Sequence, residues 1–289
     1  MRVIAKQLFE VLGLYVARQS TFYQAKVDVI GSLKNLLTAN HLTPKERNIL
    51  SKTLSLLIEN DGSTHSQLGQ DLIALAANSR TRRGFYVEIG GGDPIRSSNT
   101  YLLQTKYEWD GILVEPNPDL VASIGNFRSG KNAPIVIQKA IAQKSGKEFL
   151  LKAGLLSTLD RFLEGDSHAK QRRVNLHRNG LIEVDAISPE EFVQRYLQVQ
   201  EVDFLSVDTE GAEMEIMSNW PFDLCKPLVI CIEHSSRSWK SELDELITSQ
   251  GYLKILESIS KFDSWFILNK YNVASLFVVY WLTTRMQYN

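Results

Sequence analysis

The 289-residue chain reads as an α/β protein built on a parallel sheet, and three observations lead there. From Phe85 onward, short apolar β-prone runs alternate with stretches of helical periodicity, the pattern of strands joined by crossover helices. The run Phe85-Tyr86-Val87-Glu88-Ile89 passes directly into Gly90-Gly91-Gly92-Asp93-Pro94, a strand end followed by a turn that glycine makes most easily. Four expected strands end in polar groups: Glu88 to Asp93, Glu115, Asp208 to Glu213, and Glu233-His234. Ligands of open α/β sheets sit beyond the carboxyl ends of the strands, so these positions mark the expected site.

Residues 1 to 80 read as helices. Ile4, Leu8, Val11, Leu12 and Tyr15 recur at helical spacing, as do Val29, Leu33, Leu36 and Leu37. Thr43 is an N-cap with Pro44 in the first turn, and a short helix opens near Ser66 to Asp71. This segment reads as a cap or an oligomerisation arm. The expected strands are then 85–89, 111–115, 134–138, 202–208 and 228–233, followed by a terminal hairpin of 252–256 and 265–268. Shorter strands at 147–151 and 181–184 flank a polar insertion, Ser157 to Gly180, which reads as a substrate lid. Ser188-Pro189-Glu190-Glu191 starts a helix, and Gly251 stops another that begins at Lys240.

Composition narrows the function. With 44% hydrophobic residues, the chain builds a sizeable core in one domain plus an appendage. Its 32 Lys and Arg balance 33 Asp and Glu, which argues against a binder of nucleic-acid phosphates. Cys225 and Cys231, the two cysteines, provide neither a disulfide framework nor a zinc set, and they read as buried thiols of a reducing, cytoplasmic protein. No apolar run reaches the roughly 20 residues that cross a bilayer. Lys6 and Glu10 break the N-terminal apolar stretch, which makes a poor signal peptide. The hydrophobic run 273–282 suits packing on the domain, on a second subunit of a homo-oligomer, or on a membrane surface.

The strand-end carboxylates have a specific use. Glu115, at the end of the second strand, suits the two hydroxyls of a ribose. A dinucleotide would need a G-x-G-x-x-G turn for its pyrophosphate, but the third position is Ile95, and Glu88 and Asp93 would repel an anion. S-adenosylmethionine, with its ammonium and sulfonium, fits an acidic turn, with Glu88 or Asp93 as the ammonium partner and Glu115 on the ribose.

The ordered strings 84–93, Ser98-Asn99-Thr100-Tyr101-Leu102, 111–118, 202–213 and Ile232-Glu233-His234 resemble the FkbM family of S-adenosylmethionine-dependent methyltransferases, over about residues 66 to 269. The glycine turn here ends Gly-Gly-Gly-Asp-Pro where Gly-Ala-Asn-Asp-Gly is common, which keeps the backbone freedom. The resemblance implies a class I methyltransferase (Rossmann-like) seven-stranded sheet with its last strand antiparallel. A helical N-terminal extension (1–65) then precedes the catalytic domain (66–270), and a hydrophobic tail (271–289) follows. It implies methyl transfer to a hydroxyl oxygen of a sugar, glycan or natural product. Cofactor contacts fall to Glu88, Gly90, Gly92, Asp93, Asn99, Glu115, Pro116, Asn117 and Asp208.

A hydroxyl is a poor nucleophile, and Asp208 and His234 are the candidate bases. Asp208, Glu210, Glu213 and Glu233 together would also suit Mg²⁺, but no metal is expected. His41, His65, His168 and His177 lack ligand spacing and read as surface residues. The competing readings are a Rossmann-type oxidoreductase, against which Ile95 argues, and a non-catalytic binding protein on the same sheet.

Overall fold

The computed structural model describes residues 42–60, 64–78, 82–164, 168–198, 200–235 and 237–269. The helical periodicity before residue 42 and the run 273–282 lie outside the described residues. In chain order the strands are β1 (Phe85–Ile89), β2 (Asp110–Val114), β3 (Ile135–Ile137), β4 (Ala140–Ile141), β5 (Gly146–Leu151) and β6 (Thr158–Leu159). They continue as β7 (Leu181–Ile187), β8 (Phe204–Val207), β9 (Val229–Glu233), β10 (Tyr252–Ile255) and β11 (Asp263–Leu268).

Seven of them form the main sheet, in the order β10-β11-β9-β8-β1-β2-β3. Strands β3, β2, β1, β8 and β9 run parallel, whereas β11 is antiparallel to both β9 and β10. Seven strands with the last one antiparallel are what the class I methyltransferase sheet is expected to show. The central strands are almost wholly apolar because both faces of the sheet are covered; Glu88 of β1 and Ser206 of β8 are the buried polar exceptions. Against one face lie the helices α1 (Pro44–Glu59), α2 (Gln70–Ala77), α3 (Tyr101–Tyr107) and α4 (Pro118–Phe127), around Tyr86, Trp109, Phe204 and Trp265.

After α5 (Ala169–Asn179) come α6 (Pro189–Phe192, continuing as a π-helical turn to Leu197), α7 (Glu213–Ser218) and α8 (Lys240–Ser249). Helices α6, α7 and α8 cover the other face, over Val87, Ile112, Val207 and Ile230. The start of α1 is a reciprocal capping box: the Glu46 amide donates to Thr43 Oγ1 at 3.2 Å and the Thr43 amide to Glu46 Oε2 at 2.9 Å. Ile49, Leu50, Leu56 and Leu57 of α1 are part of the same core as Trp109, so this segment is packed into the domain.

The two strands expected around the insertion do not join the main sheet. Strands β5 and β7 pair antiparallel in a separate four-stranded sheet, β4-β7-β5-β6. Its other two members have two residues each, too short to show a periodicity in sequence. Between β5 and β7 the described residues of the insertion fold as β6, a 3₁₀ turn at Asp160–Phe162, and α5. Arg161 ties it down, donating to Glu148 at 2.5 Å and to Glu215 at 2.6 Å.

Candidate active site

Beyond the carboxyl ends of β1, β2 and β8 lies a cleft of about 530 Å³. Gly90, Gly92, Glu115, Pro116 and Asp208 form one wall, and Leu155, Ser157 and Thr158, from the loop before β6 and its start, form the opposite one. A smaller cavity of about 280 Å³ lies on the α2 side, lined by Gln67, Gln70, Asn99, Ser206, Asp208, Glu233 and Asp263. Asp208 borders both.

Gly90 makes this junction possible. Its φ of +86° is left-handed, and a Cβ there would lie 1.7 Å from the Asp208 carbonyl oxygen. The close approach is held by the Asp208 amide donating to Ile89 at 2.9 Å and the Gly90 amide donating to Val114 at 2.9 Å. Asp208 therefore projects from β8 directly beside the glycine turn. On the other flank, Glu115 is 4% exposed. Its carboxylate accepts the Gly92 amide at 3.1 Å and the Asn117 amide at 2.8 Å, one bond per oxygen. Burial outweighs these bonds and lifts its pKa to about 7.

An acidic corner closes the junction. Asp208, Glu210 and Glu233 each bring a carboxylate oxygen within 4.8 Å of the others. Glu210 sits at φ +60° in the turn after β8, and the fully buried Arg172 of α5 pairs with its carboxylate. Arg237 Nη2 donates to the Glu210 carbonyl at 3.1 Å. Asp208 is open to the cavities yet surrounded by protein mass. That enclosure raises its pKa well above the usual carboxylate range, with Glu233 beside it adding to the effect. Enclosure and the same neighbour lift Glu210 to about 8, partly offset by Arg172. Glu213, buried, instead holds the turn together by accepting the amides of Thr209 at 2.8 Å and Gly211 at 3.0 Å.

The expected site residues divide into two groups. Gly90, Gly92, Glu115, Pro116 and Asp208 line the larger cleft, and Asn99 lines the smaller cavity. Glu88 lines neither. Its carboxylate faces the start of α3, where it accepts the Asn99 amide at 3.0 Å and Thr100 Oγ1 at 2.5 Å. Arg128 lies close enough to offset part of the burial that raises its pKa. Asp93 is spent on its own loop, accepting the amides of Ile95 at 2.9 Å and Arg96 at 2.7 Å. Glu88 is thus turned away from both cavities, and Asp93 borders neither, although both its bonds fall on Oδ1 and leave Oδ2 without one. Asn117 caps α4 through the Asp119 amide at 3.0 Å and donates to Ser157 Oγ at 3.1 Å, bridging to the opposite wall.

His234 also departs from expectation. It is buried, its Nε2 lies 3.0 Å from the Asp263 carbonyl oxygen, and it borders neither cavity. Burial holds its pKa below the usual histidine value. Asp208 borders both cavities, whereas His234 borders neither. His65 is half-buried with its ring edge-on to Tyr101, whereas His168 and His177 are exposed. Arg128, Arg172 and Asp263 carried no signal in sequence, because isolated charged residues look alike until the fold buries them.

A family model described as "Methyltransferase FkbM domain" matches residues 88–254, more than half of the chain. The chain belongs to the FkbM methyltransferase family. It is a methyltransferase, and S-adenosylmethionine is its cofactor. No protein of curated function matches the chain in sequence. Among solved structures, the fibrillarin pre-rRNA processing protein of Methanococcus jannaschii resembles it at TM-score 0.36 and 12% identity, over 70% of this chain and 74% of that one. MtNAS, solved in complex with MTA and tNA, resembles it at TM-score 0.30 and 14% identity, over 92% and 86%.

The residues of the FkbM methyltransferase fit its cofactor. Each Glu115 oxygen accepts one amide and keeps acceptor capacity for a ribose hydroxyl. The glycine turn presents backbone, without side chains, to the cleft.

Proposed function

We propose that this FkbM methyltransferase methylates a hydroxyl oxygen of a sugar, glycan or natural product, with the reaction centred at Asp208. The observation that carries this is the meeting of two cavities at that one carboxyl group. The larger cleft, with Glu115 and the glycine turn, suits the adenosyl half of the cofactor, and the smaller, polar cavity suits the hydroxyl end of the acceptor.

When bound, S-adenosylmethionine supplies an electrophilic methyl group on a sulfonium. The chain's own residues then have three tasks. Glu115 anchors the ribose, and Gly90 and Gly92 let the bound molecule approach the backbone. Asp208 accepts a hydrogen bond from the acceptor hydroxyl and takes its proton as the oxygen attacks. A carboxyl whose pKa is raised by its neighbours is a better proton acceptor than an ordinary one. Orientation contributes most of the remainder, since transfer needs an in-line approach of oxygen to methyl. Leu155 and Thr158 complete the lining of the cleft on the side of the insertion. The buried free thiols Cys225 and Cys231 suit a reducing compartment, the cytoplasm in this reading. Among the described residues, no helix is long and apolar enough to cross a membrane.

Tritiated-methyl transfer onto a panel of hydroxylated acceptors tests the activity. Asp208→Asn is expected to lower turnover by roughly 10²- to 10⁴-fold, the usual worth of a general base. Affinity for S-adenosylhomocysteine should move far less. Full turnover in the variant would remove Asp208 from the centre of the reaction.

A further inference from the structure

We propose that the acidic corner where the two cavities meet binds a divalent cation, Mg²⁺ or Mn²⁺, through Asp208, Glu210 and Glu233. The cation's role in turnover rests on the hydroxyl-transfer reading above; its binding does not.

The three ligands come from two segments that the fold brings together: Asp208 and Glu210 from the end of β8 and the left-handed turn after it, and Glu233 from the end of β9. One oxygen from each lies within 4.8 Å of the others, a span that a hard cation with oxygen ligands at roughly 2.0–2.6 Å fills. Arg172 engages one Glu210 oxygen and Ser235 one Glu233 oxygen, and Asp208 and Glu233 lie within hydrogen-bond reach of each other, a contact the cation would replace.

A second observation is independent of these carboxylates. Asn99, 7% exposed, has a buried side-chain oxygen with no hydrogen-bond donor, although its amide nitrogen donates to Ser206 Oγ at 2.9 Å. Ser206 lies two residues before Asp208 and is paired with Cys231, two residues before Glu233. Strand alternation therefore puts the Asn99 side chain on the face from which Asp208 and Glu233 project. All three line the smaller cavity, whose wall contains no Lys, Arg or His. One unfilled acceptor, Asn99 Oδ1, thus shares that wall with the Asp208 and Glu233 carboxylates, and no positive side chain lines it. Oxygen ligands without imidazole or thiolate favour Mg²⁺ or Mn²⁺ over zinc.

A cation at this corner polarises the acceptor hydroxyl and lowers its pKa. The hydroxyl proton passes to the Asp208 oxygen that does not face the cation. The new O–C bond forms as the C–S bond breaks, and its electron pair returns to sulfur.

The test is titration of the full chain with MnCl₂, following the free Mn²⁺ signal by electron paramagnetic resonance, with and without saturating S-adenosylhomocysteine. One Mn²⁺ per chain is expected in both conditions. Glu233→Gln and, separately, Asp208→Asn should each weaken binding at least tenfold, with folding checked by thermal melting. Glu183→Gln, an exposed carboxylate on β7, should leave it unchanged. Absence of Mn²⁺ binding by protein that still binds S-adenosylhomocysteine overturns the cation site while leaving the methyltransferase reading intact. Displacement of Mn²⁺ by S-adenosylhomocysteine also overturns it and assigns the corner to the cofactor's ammonium. Binding that survives both substitutions places the ion elsewhere and has the same consequence.

Discussion

Replacing Glu115 by Gln keeps the shape of the side chain and removes its charge and one acceptor oxygen. The wild-type carboxylate accepts one backbone amide per oxygen, which leaves each oxygen free to accept a ribose hydroxyl. A hydrogen bond to a charged group contributes about 1.5–3 kcal/mol, so losing one corresponds to roughly a 10- to 150-fold weaker complex. The amide nitrogen of Gln also faces a backbone N–H, donor against donor. Calorimetric titration with S-adenosylhomocysteine measures the effect.

The pH dependence supplies a second, sharper readout. With a pKa of about 7 in the ligand-free protein, Glu115 is about one-tenth ionised at pH 6 and about nine-tenths at pH 8. Wild-type affinity should therefore rise by up to about tenfold between those values. The Gln variant should lose that rise. The same shift has a cost for the ligand-free fold. A carboxyl raised from an ordinary 4.5 to about 7 keeps a proton that the unfolded chain releases. Its contribution thus lowers stability as pH rises from 4.5 to 7, by about 3 kcal/mol in all. A Gln variant that binds within twofold of wild type and keeps the same pH trend would refute the ribose assignment.

Three further outcomes follow from the geometry. Gly90→Ala forces a Cβ to within 1.7 Å of the Asp208 carbonyl at a φ of +86°, so a melting temperature lower by roughly 6–12 °C is expected in calorimetry. Arg128→Met leaves Glu88 buried without its cation, while Tyr86 Oη and Thr100 Oγ1 lose bonds of 3.0 and 3.2 Å; urea unfolding should show a loss of about 3–5 kcal/mol. His234→Gln should leave the pH profile of kcat unchanged and lower stability by about 1–3 kcal/mol, because the imidazole bonds to a backbone carbonyl and borders no cavity.

Much of the scaffold was legible because local periodicity reports which face of an element is buried. All seven strands of the main sheet fall within a residue or two of their apolar runs, and the caps at Thr43 and Ser188 make the bonds their residue types suggest. Gly90 was legible for the same reason: three glycines after an apolar strand mark a turn that a side chain would obstruct. Glu115 and Asp208, each just past the end of a strand, had to lie along the carboxyl edge of any parallel sheet those strands made.

The sequence by itself thus determined the strands of the main sheet, the edge where their polar ends gather, and the family. Only the tertiary structure decided which polar groups meet. Glu88 stands level with Ser206 across the β1–β8 pairing, and the loop before α3 folds onto that face and takes up its carboxylate. His234 turns toward the Asp263 carbonyl because β11 returns antiparallel beside β9, a neighbour 29 residues away in the chain. The acidic corner exists because β8 and β9 lie side by side and Gly90 lets β1 close against them. Burial is a property of one element and leaves a local trace in residue spacing. Convergence belongs to pairs of elements, and it is fixed only once strand order and loop paths are fixed.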